Sequence, residues 1–140
     1  MSMWIPPPDK WFKLNVDASI DEKKRLVGLG MVIRDSKGEI MAAAGKRTEF
    51  YGDVELAKVE AIRFGVQIAT ESGLVPMIIE SDSMNAVMLV KGKTSSIKEI
   101  YWVISDIQML ISQKANFDVC YIPRIYNSAT HNMTKIATGY

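Results

Sequence analysis

The stretch Trp11-Phe12-Lys13-Leu14-Asn15-Val16-Asp17 alternates apolar and polar side chains almost without interruption. Phe12, Leu14 and Val16 face one way and Lys13, Asn15 and Asp17 the other, the period-two signature of a strand. A polar turn, Asp21 to Arg25, follows. Val27 to Arg34 and Glu39 to Gly45 read as two further strands, joined by the tight turn Asp35-Ser36-Lys37-Gly38. Short connections favour antiparallel neighbours, so these three strands should form a meander.

Downstream the period changes. A helix should open near Asp53, a suitable N-cap, and run to about Ser72, with Gly73 ending it. Its inner face is Ala57, Ala61, Ile62, Gly65, Ile68 and Ala69, and Glu60, Arg63, Gln67 and Glu71 form the wet face. Met77-Ile78-Ile79 is apolar without alternation, as in a strand covered on both sides. Ser83 can cap a short helix ending at Gly92. Ser96 and Glu99 form a capping box for a longer helix with Ile97, Ile100, Tyr101, Ile104, Ile107 and Ile111 on its inner stripe. Phe117 to Ile122 is a fifth strand halted by Pro123, and a last helix can run from Asn127 to about Ala137. The order β-β-β-α-β-α-α-β-α predicts an α/β fold with a mixed five-stranded sheet and helices against both faces.

The 140 residues suit one domain, expected over 11–140, behind a lead-in over 1–10 that Pro6, Pro7 and Pro8 hold extended. A net charge of +1 rules out a molecule that attracts polyanions by its overall field. Nucleic-acid contacts would have to come from local clusters, Lys23, Lys24 and Arg25 or Lys91 and Lys93, which could equally be solvated loops. Cys120 is the one cysteine and lies in an apolar run, so no intramolecular disulfide forms and a buried thiol in a reducing compartment is expected. No apolar run approaches the roughly 20 residues of a membrane span, and the start lacks signal-peptide regions, so an intracellular location is expected with no membrane partner.

In open α/β sheets ligands gather at the carboxyl ends of strands. Asp17 closes the first strand and Asp82 follows the fourth, with Glu80 two residues before it. Adjacent central strands would bring Asp17 and Asp82 together, which is costly unless a cation or a proton offsets their repulsion. Mg²⁺ suits such hard oxygen ligands, and two ions would support in-line phosphodiester cleavage. Asp82 could instead simply cap the helix at Ser83.

Five motifs, in order, carry a family resemblance. They are W-I-P-P-P-D-K-W-F-K-L-N-V-D (Trp4 to Asp17), G-L-G-M-V-I-R-D-S-K-G (Gly28 to Gly38), A-I-R-F-G-V-Q-I-A (Ala61 to Ala69), I-I-E-S-D-S (Ile78 to Ser83) and Y-I-P-R-I-Y-N-S-A-T-H-N-M-T-K-I-A (Tyr121 to Ala137). With them the chain resembles the plant ribonuclease-H-like, reverse-transcriptase-like domain family, related to retroelement ribonuclease H. The resemblance implies a ribonuclease H-like fold, a partner that is an RNA/DNA hybrid, and endonucleolytic cleavage of the RNA strand with Mg²⁺ or Mn²⁺.

Carried over residue by residue, the first family aspartate is Asp17, the third carboxylate is Asp82 and the fourth position, often Asp but frequently His in the plant branch, is His131. The second, a helix glutamate seven residues before the position of Gly65, is here Lys58, and Ala18 stands where a glycine usually follows the first aspartate. The metal ligands implied are therefore Asp17 and Asp82. Lys58 falls on the helix side that packs toward the sheet, so its ammonium could take the place of a metal between the two aspartates, or it could snorkel to solvent. Glu55, one turn earlier, is a substitute acid or merely a complement to the helix dipole. His131 could ligate metal or shuttle a proton, and Arg124 could contact a phosphate or pair with an acid. Two functions follow: a hybrid-binding ribonuclease whose cleavage is weakened or lost through Lys58, or a catalytically inactive module that binds a protein partner or regulates one.

Overall fold

Leu14 and Val16, both fully buried, fix the inner face of the first strand, and the rest of the molecule is arranged on them. The structure, a computed structural model, describes residues 4–92, 99–112 and 117–127. Its elements are β1 (Phe12–Asp21), β2 (Leu26–Arg34), β3 (Ile40–Glu49), α1 (Val54–Glu71), β4 (Met77–Ser81), α2 (Met84–Val90), α3 (Glu99–Ser112), β5 (Phe117–Tyr121) and a single 3-10 turn (Arg124–Asn127). The sheet order is β3-β2-β1-β4-β5. β1, β2 and β3 pair antiparallel, whereas β4 runs parallel to both β1 and β5. The mixed five-stranded sheet expected from the sequence is the sheet observed.

Two of the expected helix caps, at Asp53 and Ser83, form. The Asp53 side chain accepts from Leu56 N at 3.0 Å and that of Ser83 from Ala86 N at 3.2 Å. Each satisfies one of the backbone donors that a helix start leaves unpaired. Ser83, not Asp82, is therefore the cap of α2.

α1 lies unusually close to β1. A Cβ at Gly65 would sit 2.7 Å from Val16 Cγ1 and 3.0 Å from both Leu14 methyl carbons, so only glycine permits this approach. The helix runs antiparallel to β1. From Gly65 back to Lys58 it rises about 10 Å, and three strand residues cover about the same distance. Lys58 thus arrives beside Ala18, next to Asp17.

Several expectations change, among them the third strand, which runs on from Gly45 to Glu49. β1 does not end at Asp17 but continues to Asp21, because the hairpin with β2 carries the pairing on to Asp21↔Leu26. Tyr101 is 54% exposed, since Ile100, Val103, Ile104 and Ile107 define the inner stripe of α3 and Tyr101 stands about 100° around the axis from Ile100. It meets Trp102 edge to face on the outer surface. Cys120 is half-buried, with Sγ 3.6 Å from Asp118 Oδ2, and burial followed by the Asp118 charge pushes its thiol pKa up. Asn127 belongs to the 3-10 turn; the rest of the expected last helix, Ser96 of the capping box, Lys93 and His131 lie outside the described residues.

The lead-in is docked. Trp4 donates from Nε1 to Asn15 Oδ1 at 3.1 Å, and its ring lies under Lys13 Nζ at 5.3 Å and Arg34 Cζ at 5.0 Å. Lys13 also donates to Ile5 O and pairs with Glu80 at 3.2 Å, while Asn15 Nδ2 donates to Glu80 Oε1 at 2.9 Å. The polar face of β1 is thus buried beneath the chain's own N-terminal segment, Lys13 being 6% and Asn15 1% exposed.

Candidate nucleic-acid site

Register brings the acids together. The last β1–β4 pair is Val16↔Ser81, so Asp17 and Asp82 follow side by side on adjacent parallel strands. Beyond this pair β4 stops, and the backbone acceptors left over are taken by the tail of the sheet. Ile122 N donates to Ser81 O at 2.9 Å and Asn127 Nδ2 to Val16 O at 2.8 Å. Asn127 is 1% exposed, and its Oδ1 has no partner among the described residues. Sequence reasoning missed Asn127 as a site residue, since its target is a backbone carbonyl 111 positions away.

Asp17 is wholly buried at its side chain, accepts from Ala18 N at 2.8 Å, and lies 3.6 Å from Lys58 Nζ. Lys58 also donates to Ala18 O at 3.1 Å, and its side chain keeps 20% of its exposure. Burial, then the Asp17 charge and a hydrogen bond with Asp17, push the Asp82 carboxyl above the ordinary carboxylate range, with Lys58 and Arg124 opposing. Such shifts arise when two carboxylates share a confined space.

Asp82 and Lys58 open into a cleft of about 1130 Å³ whose lining includes Tyr51, Glu55, Tyr121 and Arg124. Glu55 is therefore in the same cleft, whereas Glu60 lies beside Arg63 at 3.8 Å and lines other cavities. Of the basic candidates, Arg124 reaches the cleft. Lys23, Lys24 and Arg25 occupy the β1–β2 turn, where Asp21 accepts from Lys24 N at 3.2 Å and Arg25 holds a φ of 53°. Lys91 sits instead by the start of β5, with Phe117, Asp118 and Val119. Among the described residues no group of three or more His, Cys, Asp or Glu is placed to hold a metal ion. Nor is any helix among them long and apolar enough to cross a membrane.

A family profile described as "Reverse transcriptase-like" matches residues 15–137. The chain belongs to the reverse transcriptase-like family. Its fold is that of ribonuclease H. The crystal structure of RNase H1 from the halophilic archaeon Halobacterium salinarum superposes with a TM-score of 0.83 at 14% identity, over 91% of this chain and 97% of that one. The N-terminal RNase H domain of a Mycobacterium tuberculosis protein gives 0.82 at 16%, over 91% and 93%. LC11-RNase H1 in complex with an RNA/DNA hybrid gives 0.77 at 18%, over 87% and 92%. No curated protein sequence matches significantly. Identities this low carry the fold and leave the chemistry to this chain's own residues.

Proposed function

We propose that this reverse transcriptase-like domain binds nucleic acid of the RNA/DNA hybrid type and that cleavage of the RNA strand is weak or lost. One observation carries the reading: Lys58 Nζ stands 3.6 Å from Asp17 Oδ1, where the family pattern has a glutamate. The family's chemistry uses a divalent ion, Mg²⁺ or Mn²⁺, and Asp17 and Asp82 are the donors available here for one. The donor set does not fit a pair of ions, because an ammonium already occupies the space beside Asp17 and offsets its charge. Two-metal cleavage needs ions to activate water and to stabilise the leaving oxygen. Glu55, in the same cleft, is the substitute acid, and His131 the fourth position. The motif pattern, with histidine at that fourth position, supports a plant-type, retroelement-derived origin, and the half-buried unpaired Cys120 supports an intracellular setting.

A second reading has its own support. Tyr101, Trp102 and Met109 are 54%, 70% and 61% exposed on α3, an apolar surface suited to a protein partner.

The test is a labelled RNA/DNA hybrid followed by anisotropy and by gel, with Mg²⁺ or Mn²⁺. Saturable binding with little cutting is expected. Vigorous cutting abolished by Asp17→Asn would overturn the loss of activity, and an absence of saturable binding would leave the protein-partner reading.

A further inference from the structure

Lys58 is tied down on one side only. An ammonium has three donors. One reaches Ala18 O at 3.1 Å and another faces Asp17 at 3.6 Å, while the ammonium's charge also acts on Asp82 without a direct bond to it among the described residues. The side chain keeps one-fifth of its exposure and lines the cleft that also holds Arg124. A divalent ion at such a centre has two roles: it offsets the buried acids and it presents positive charge to a phosphate oxygen. An ammonium held by Asp17 can do both.

We propose that Lys58 is a metal-independent contact for one backbone phosphate, held in place by Asp17 and Ala18 and assisted by Arg124 across the cleft. This rests on the hybrid-binding reading above and adds how the centre engages the backbone. The rest of the lining disfavours a polyanion, since Asp53, Glu55 and Asp82 stand against Lys58 and Arg124. Among the described residues, backbone affinity at the cleft is therefore concentrated in these two cations and not spread over a basic field. Lys58 lacks the planar fork of arginine, so it acts as a point charge that one phosphate oxygen satisfies.

The experiment measures anisotropy of a fluorescein-labelled RNA/DNA hybrid on the full chain, in EDTA and in Mg²⁺, across a salt series. The native protein should bind in EDTA at least as well as in Mg²⁺, which competes as a counterion. Lys58→Met should weaken binding about tenfold, the scale of one lost charged hydrogen bond. It should also lower the slope of log affinity against log salt by about one, the loss of one phosphate contact. Lys58→Arg, which keeps the charge, should retain most of the affinity, and Arg124→Gln, at an exposed side chain, should give a smaller loss. Circular dichroism of each variant separates loss of contact from loss of fold. If Lys58→Met does not fold, the EDTA comparison and the Lys58→Arg salt slope still decide. Binding that requires Mg²⁺, or a folded Lys58→Met that binds as the native protein does, overturns the proposal. No saturable hybrid binding in either buffer defeats the underlying reading instead.

Discussion

Lys58→Met removes the ammonium while keeping the apolar stem, so its effect on stability isolates the charge. At 3.6 Å and an effective dielectric of about 20, the Lys58–Asp17 attraction is about 4–5 kcal/mol. Part of that is spent on the desolvation of Lys58, which the variant recovers. Asp17 keeps its 2.8 Å bond from Ala18 N but stays wholly buried beside Asp82. Removing one partner of a buried pair typically costs about 3–5 kcal/mol, and the partial exposure of Lys58 places the expectation at the low end, about 3 kcal/mol. In urea, at roughly 1–3 kcal/mol per molar for a small domain, the midpoint should fall by about 1–3 M.

The pH dependence has a definite sign. Burial and Asp17 already hold the folded Asp82 carboxyl above its usual range, and losing Lys58 removes an opposing charge. A carboxyl raised in the folded state lowers stability as pH rises from the unfolded value through the folded one. The gap between native and variant should therefore be full at neutral pH and narrow below about pH 4. Urea denaturation by circular dichroism at neutral and acidic pH measures it. A variant within about 0.5 kcal/mol of native at neutral pH, the usual range of an inert surface change, would refute the ion-pair reading.

Gly65→Ala should destabilise by about 1–2 kcal/mol. Overpacking against Leu14 and Val16 costs about 1–3 kcal/mol and exceeds the gain of up to about 1 kcal/mol in helix propensity; a rise in melting temperature would contradict the close approach of α1 and β1. Trp4→Ala should cost about 2–3 kcal/mol through lost ring burial and the indole bond to Asn15, and the native Trp4 contribution to fluorescence should be partly shielded from iodide; equal quenching of free tryptophan and Trp4 would sink it. Asp82→Asn should raise stability at neutral pH, with the advantage vanishing below about pH 4; a lower urea midpoint at neutral pH would oppose it.

The sequence was most legible where structure is local or periodic. The alternation in β1, the caps at Asp53 and Ser83 and the parallel run of β4 sufficed to place Asp17 beside Asp82. Helix periodicity also put Lys58 on the side facing the sheet. Illegible were contacts whose partners lie far apart in sequence and whose atoms are backbone or polar. The Trp4–Asn15–Glu80–Lys13 network buries a face that alternation can only label polar. Asn127 reaches a single carbonyl, and no side-chain pattern marks a carbonyl as needing it. Tyr101 sits next to isoleucine in sequence and so reads as part of the same stripe, although a helix turns its ring well away.

Geometry also limits which side chain can hold the position of Lys58. The tight seat of Gly65 on Val16 fixes the separation between α1 and β1, so a residue seven places earlier must span a set gap to Asp17. A glutamate there would add a third negative group to Asp17 and Asp82, and the three could coexist only around a bound cation. A lysine reverses that requirement, because the counter-charge is then part of the chain and is present whenever the domain is folded. Under the proposed reading, Lys58 and Arg124 offset Asp17 and Asp82 in place of an ion from solution. If Lys58 is the permanent counter-charge, the native fold should gain no stability from Mg²⁺, whereas Lys58→Met should gain it; stabilisation of the native protein by the ion would break this chain of reasoning at its first link.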